Sequence, residues 1–375
     1  VTDRAVVAGG GIVGLSIAWR LARAGLAVSV IDPAPASSAS HAAAGMLCPV
    51  AEARYGEEAQ VALHLAAYDR WPGFAAELEA ATGAEVGLRH NGTIAVALDA
   101  DDLRALDATR RFQEELGLEV QRLRSGECRA LEPMLSPRVR GGVRVDRESS
   151  VDPRRVCAAL IGAARAAGVE LVEQQMAQVL TGGGRVRGVA LKGGDVVTGD
   201  HVVLALGPWS AAVVGVPAEA APPVRPVKGQ ILRLRFDPAA PPLTRNVHGL
   251  VHGWSVYLVP RIDGELVVGA TVEEKGFDTT VTAGGVRELL DAAVELVPAV
   301  AELEQVEALA RLRPASEDHS PVIGPTGVEG LVLATGHHRN GVLLAPITAD
   351  AVAGLLVDGK LPPEVAPFTI ERFRR

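Results

Sequence analysis

The sequence predicts an α/β protein. One domain, on a mainly parallel sheet, is interrupted by a second domain on a large, mainly antiparallel sheet. Three observations carry that prediction. The first 32 residues run strand, GxGxxG, helix, strand, acid. A βα return at 152–172 and an apolar strand from His201 bring the chain back to the same kind of sheet. From Gly229 to Thr271 the pattern changes to successive strands with hairpin signals. A chain of 375 residues is also longer than one hydrophobic core usually serves.

The N-terminal elements justify themselves in order. RAVVA at 4–8 reads as a buried strand, and LSIAWRLARAGL as a helix stopped by Gly25. AVSVI at 27–31 is a second strand ending at Asp32. Between strand and helix, Gly9 makes a tight turn, Gly11 lets backbone approach a pyrophosphate, and Gly14 permits close helix packing. Ile12 and Val13 complete the run, where N–H groups at the helix start meet phosphate charge. Asp32 is placed to accept hydrogen bonds from a ribose diol and to repel a 2′-phosphate. The elements together read as a Rossmann-like dinucleotide-binding unit, without separating FAD from NAD. The small and hydroxyl-bearing residues of 37–47 (SSASHAAAGML) fit either a surface segment or one lying against the cofactor.

Further along, 58–81 reads as a helix broken or kinked at Pro72. Asn91-Gly92 marks a turn before a strand, and 101–116 a charged amphipathic helix. Asp152-Pro153 caps and opens a helix. Gly182–Gly184 and 192–195 join hairpin strands, and 217–226 is a proline-rich crossover. Asp263-Gly264 is a two-residue hairpin turn. A helix follows at 286–296, PVIGP at 321–325 reads as a turn, and 331–346 as strand, polar loop and helix start.

Composition excludes several classes. With 48% hydrophobic residues the chain is not disordered. Its charge of −8 and lack of a basic stripe argue against nucleic acid. The uncharged run at 5–19 is too short for a membrane span. Three scattered cysteines suggest free thiols in a reducing, cytoplasmic setting. No metal site is expected: His337 and His338 are adjacent, and His248 and His252 fall in a strand and turn. Only four basic residues are lysines, so the many arginines need positional support before they count as functional.

Several segments together carry a resemblance over nearly the full length. They are 40–47 (SHAAAGML), 226–229 (PVKG), 257–261 (YLVPR), 268–271 (VGAT), 312–314 (LRP) and 336–346 (GHHRNGVLLAP). The chain resembles the FAD-dependent D-amino-acid oxidase family, most of all its glycine-oxidising members of thiamine biosynthesis. That resemblance implies an FAD-binding domain from 1–83, 140–212 and 305–375, and a substrate domain from 84–139 and 213–304. It implies hydride transfer from an amino-acid Cα to flavin N5, with oxygen as acceptor, giving imino acid and hydrogen peroxide. FAD would be bound non-covalently, with a small amino acid or amine as substrate. A homo-oligomer, such as a tetramer, is also implied.

The resemblance assigns roles to residues. Arg313 would pair with the substrate carboxylate, Tyr257 would hydrogen-bond substrate, and Arg339 would lie at the active-site edge. Arg311, two residues from Arg313, is expected to point elsewhere. The cofactor set gains Ser40, Ala43, Ala44, Gly45, Met46, Leu47, Ala177, Gly207, Trp209, His338, Arg339 and Asn340. Gly341 and Val342 would set backbone N–H groups beside the flavin. Val272 and residues 246–255 depart from the family pattern where the substrate is walled, leaving glycine, N-methylglycine and small D-amino acids as candidates. A flavin dehydrogenase with another acceptor, or a non-catalytic or RNA-modifying flavoprotein, are the rival classes.

Overall fold

In the computed structural model of the chain, which describes residues 3–374, the strand Arg4–Ala8 lies inside a six-stranded sheet. Val1, Thr2 and Arg375, the outermost positions of the expected nucleotide domain, fall outside the described residues. The strand order is Val322–Pro325, Leu331–Thr335, His201–Leu204, Arg4–Ala8, Ala27–Ile31, Glu170–Val172. All pairings are parallel except the edge pair Val322–Pro325 with Leu331–Thr335. Four parallel strands therefore end side by side, just before Gly9, Asp32, Ala205 and Gly336. Ligands of α/β sheets sit at that edge.

Apolar side chains on one sheet face meet the helices Ile12–Arg23, Glu58–Thr82, Pro153–Ala166 and Ala345–Asp358. On the other face Val6, Ile31 and Val202 meet Val179, Val186 and Val189 of a three-stranded antiparallel sheet. The second large sheet has eight strands. Their order is Glu304–Ser316, Val224–Arg235, Glu265–Gly269, Trp254–Pro260, Asn246–Val251, Thr93–Ala97, Gly141–Val145, Gln121–Arg124. It is antiparallel apart from one pair, Asn246–Val251 with Thr93–Ala97. The helix Ala283–Leu296 covers one face, and the other meets Ala42 and Ala44 of the nucleotide side. No helix among the described residues is long and apolar enough to cross a membrane.

The structure departs from the sequence expectations in several places. Gly141–Val145 and most of Glu304–Ser316 pair into the eight-stranded sheet, although they lie within 140–212 and 305–375, which the resemblance gave to the other domain. Glu58–Thr82 is one helix with Pro72 inside it. Burial of Leu63, Ala67, Trp71, Phe74 and Leu78 outweighs the roughly 3 kcal/mol an internal proline costs. PVIGP contains a strand rather than a turn, because Val322 and Ile323 are fully buried against Thr335 and Ala334. The proline-rich crossover ends early: the strand starts at Val224, with Pro226 opposite Pro314. The segment 246–255 supplies the strand Asn246–Val251 and a turn at 252–253, the setting expected for His248 and His252.

Candidate active site

A cavity of about 1030 Å³ opens between the carboxyl edge of the parallel sheet and one face of the larger sheet. Small-molecule pockets usually span roughly 300–1,000 Å³, so this one has room for a dinucleotide and a small second ligand. Its nucleotide end is main chain. Gly9 has φ +111°, and a Cβ there would lie 2.2 Å from the Ala205 carbonyl oxygen; one on Gly14 would lie 1.9 Å from that of Gly9. Turn, strand and helix can meet this closely only without those side chains. The helix Ile12–Arg23 has no side-chain cap at Gly11, and Ala345–Asp358 has none at Leu344. Of these two helix starts, that of Ile12–Arg23 lines the cavity with Gly11, Ile12 and Val13, and this suits a pyrophosphate. Asp32 accepts the N–H groups of Gly10 (2.7 Å) and Ala34 (2.8 Å) while still lining the cavity. The mostly small residues present thus fit a dinucleotide.

Residues 39–47 form a helical turn, Ala39–Ala42, and a short strand, Met46–Leu47. Ser40, Ala43, Ala44, Gly45 and Met46 line the cavity. The Ser40 hydroxyl accepts the Ile12 N–H at 3.0 Å, tying the segment to the first helix. Arginines hold its carbonyls from behind. Arg154 Nε (3.0 Å) and Arg233 (3.3 Å) donate to the His41 carbonyl. Arg261 donates to the carbonyls of Ala44 and Val151. Burial brings the Arg261 guanidinium down to about 10, so it remains charged at neutral pH.

At the sheet end Arg313 and Tyr257 both line the cavity. Arg313 Nη1 donates to the Thr271 carbonyl at 3.1 Å, which leaves the rest of its fork available. Burial raises the Tyr257 phenol, and the nearby Arg313 charge opposes that rise. Two glycines make space for the pair. A Cβ on Gly229 would lie 2.2 Å from Arg313 Nη1, and one on Gly269 2.3 Å from the Tyr257 hydroxyl. His248 stands opposite Tyr257 in the next strand, its Nε2 3.1 Å from Met46 Sδ. Arg311 does not point away. Alternate strand residues share a face, so it lines the cavity too, with Nε donating to the Ser37 carbonyl at 3.1 Å.

Arg339 lines the cavity and pairs with Glu52 (3.2 Å) and Glu57 of the loop at 49–57. Burial works against its charge, but the two carboxylates prevail and hold its pKa above the usual value. His338 sits at φ +46°, its ring 4.7 Å from that of His319. Burial, aided by Arg339, takes His338 down to about 3, so it is neutral. His337 Nε2 meets the Thr348 hydroxyl at 3.0 Å.

Ala177, Gly207, Trp209, Gly341 and Val342 line the cavity as expected positions, and so does Val272. Leu47 and Asn340 do not. Leu47 is in the core, and Asn340 meets His64 at 3.2 Å. Sequence reasoning had not singled out Arg261, Glu52, Arg54 or His319. Arg261 closes the quoted YLVPR segment and could have been found there; the others carry no local signal.

The family model for FAD dependent oxidoreductases (DAO) matches residues 4–355. The glycine oxidase of Geobacillus kaustophilus is 33% identical over 373 residues, 99% of this chain and 97% of that protein. A crystal structure of glycine oxidase from that organism gives a TM-score of 0.90, covering 98% of this chain and 99% of that chain. The bifunctional protein ThiO/ThiG of Trichormus variabilis is 34% identical over 379 residues, 100% of this chain and 56% of that protein. The chain thus spans about half the length of such curated relatives. Iminodiacetate oxidase from Chelativorans sp. BNC1 is similar at 26% identity and a TM-score of 0.87, covering 98% of each chain. Joined to the uncapped start of the helix Ile12–Arg23 and the side-chain-free turn at the nucleotide end, these matches show that the chain belongs to the FAD dependent oxidoreductase family.

Proposed function

We propose that this enzyme oxidises glycine, or another small acid bearing a primary or secondary amine, at its α-carbon. One observation carries the reading: Arg313 and Tyr257 face the cavity from two strands of one sheet, each in space kept open by a glycine on an intervening strand. Arg313 binds the substrate carboxylate through its free N–H groups, and Tyr257 orients the same carboxylate with its hydroxyl. Bound FAD supplies the acceptor for the two electrons and the hydrogen leaving Cα. The amine loses a proton as the C=N bond forms, and water then splits the imine to a keto acid (glyoxylate from glycine) and the amine. Oxygen takes the two electrons with two protons as hydrogen peroxide. The relatives named for glycine and for iminodiacetate support both primary and secondary amines as substrates. A cytoplasmic homo-oligomer belongs to the same reading, supported by the resemblance and by three free, buried cysteines.

Anaerobic mixing of the holoenzyme with glycine, N-methylglycine, iminodiacetate and D-alanine tests this. Bleaching of the flavin by at least one, then one peroxide per substrate on admitting air, is expected. No bleaching by any would contradict the substrate class. Bleaching without peroxide would replace oxygen by another acceptor.

A further inference from the structure

The loop at 49–57 brings Glu52 and Arg54 to the cavity and sets Glu52 and Glu57 on Arg339. Tyr55 in the same loop packs on Phe112, ring centroids 4.1 Å apart. Its root is fixed by a side chain from elsewhere. Glu148 is 0% exposed and lies between the strands Gly141–Val145 and Ser149–Ser150. Its Oε1 accepts the N–H groups of Val50 (3.2 Å) and Ala51 (2.5 Å). Gln113 Nε2 donates to the Val50 carbonyl at 2.9 Å. Two buried polar side chains thus grip two consecutive residues of the loop. Among the described residues Glu148 Oε2 is buried and meets no hydrogen-bond partner, an open position for a proton.

We propose that Glu148 is a positioning residue for substrate binding: as a carboxylate it fastens the root of the loop at 49–57, and on protonation it loosens that root and the placing of Glu52 and Arg54 at the cavity. The proposal rests on the reading that this cavity takes a small amino acid. Backbone N–H groups bond a carboxylate about twice as strongly as a neutral acceptor. The groups around Glu148 are Cys48 at the loop entry, Glu52 within it, Thr93 in the adjacent strand, Tyr68 in the helix Glu58–Thr82, and Arg147 next in sequence. Arg147 is taken up by Asp69 at 2.6 Å. Tyr68 and His90 both meet the Ser149 hydroxyl, at 3.0 and 2.9 Å. Burial pushes the Glu148 carboxyl up to about 7 against the pull of the Ala51 N–H, and Glu52 adds to the rise.

A carboxyl raised on folding favours the folded state most at low pH, and that contribution fades as pH rises through about 7. Ionised Glu148 therefore costs stability, while it serves the loop. His64, His248, His337 and His338 are all shifted down by burial, away from this range.

Hydrogen exchange of the loop in the holoenzyme, corrected for intrinsic rates, tests the anchor without any substrate. Protection of the Val50 and Ala51 amides should fall as pH drops through about 7 in the parent, and should be low and pH-independent in Glu148→Gln. The KM for the amino acid should rise about tenfold from about pH 8 to about pH 6 in the parent, with flavin reduction at saturation unchanged. Glu148→Gln should hold the high KM throughout. Parent exchange flat across this range overturns the proposal, even where the variant does not fold. A Glu148→Gln profile matching the parent's also overturns it. If no small amino acid reduces the flavin, the functional reading fails while the exchange data still decide the role of Glu148.

Discussion

Around Gly9, Gly11 and Asp32 the cavity wall is mostly main chain, whereas around Arg313, Tyr257 and Arg339 it is long polar side chains, with Arg339 paired to Glu52 and Glu57. At the first place function depends on what is missing: a Cβ on Gly9 would strike the Ala205 backbone, which cannot swing aside. At the second, what would be struck is the tip of a long side chain: a Cβ on Gly229 meets the Arg313 guanidinium. The difference teaches where each end is vulnerable. The nucleotide end breaks when backbone geometry breaks. The sheet end can be disarmed while the fold survives.

The largest effect should follow Arg313→Ala. Removing one partner of a charged hydrogen-bond pair costs roughly 2–5 kcal/mol, about 30- to several-thousand-fold in affinity. Rapid-mixing flavin reduction should show that loss, while the flavin spectrum of the purified variant stays like the parent's. An intermediate effect is expected from Gly229→Ala. The new methyl group displaces the guanidinium rather than deleting it, so reduction should slow by about 10- to 100-fold with the melting temperature little changed. Loss of folding instead would place Gly229 among the backbone-limited positions and blur the two classes. The smallest effect should come from Arg311→Ala, which removes the bond to the Ser37 carbonyl. A few-fold weaker FAD affinity, measured by titrating stripped protein, is expected from one such bond.

The same contrast explains what could be read from the sequence. The nucleotide end lies within one βαβ stretch, where glycine spacing and Asp32 suffice to name its parts. Arg313 and Tyr257 came only through the family resemblance, since they meet by pairing of strands far apart in sequence. The mistaken expectation for Arg311 came from neglecting the two-residue period of a strand. Gly141–Val145 falls in the range that the resemblance gives to the FAD domain, yet it pairs with Thr93–Ala97 and Gln121–Arg124, partners chosen by non-local packing. Glu52, Glu57 and Glu148 look in sequence like any solvated acids of an acidic chain. Only the fold shows that two hold Arg339 and that the third is buried beneath their loop.

Arginine richness had a similar outcome. Arg154, Arg233 and Arg261 are not surface bias: they donate to the carbonyls of His41 and Ala44 and so fasten the 39–47 segment, whose small residues line the cavity. The nucleotide end thus borrows rigidity from Arg233 of the larger sheet and from Arg261 at the end of one of its strands.

The most direct test of two separable ends sets Arg311→Ala beside Arg313→Ala, two positions on one strand and one face. On both, FAD affinity would be measured by titrating stripped protein, and anaerobic flavin reduction by the best small amino acid at saturating cofactor. The account predicts a crossed result: Arg313→Ala keeps FAD affinity and loses reduction, while Arg311→Ala loses some affinity and keeps reduction once FAD is saturating. Equal, modest losses of both quantities in both variants would show a general electrostatic effect and contradict the division of the cavity.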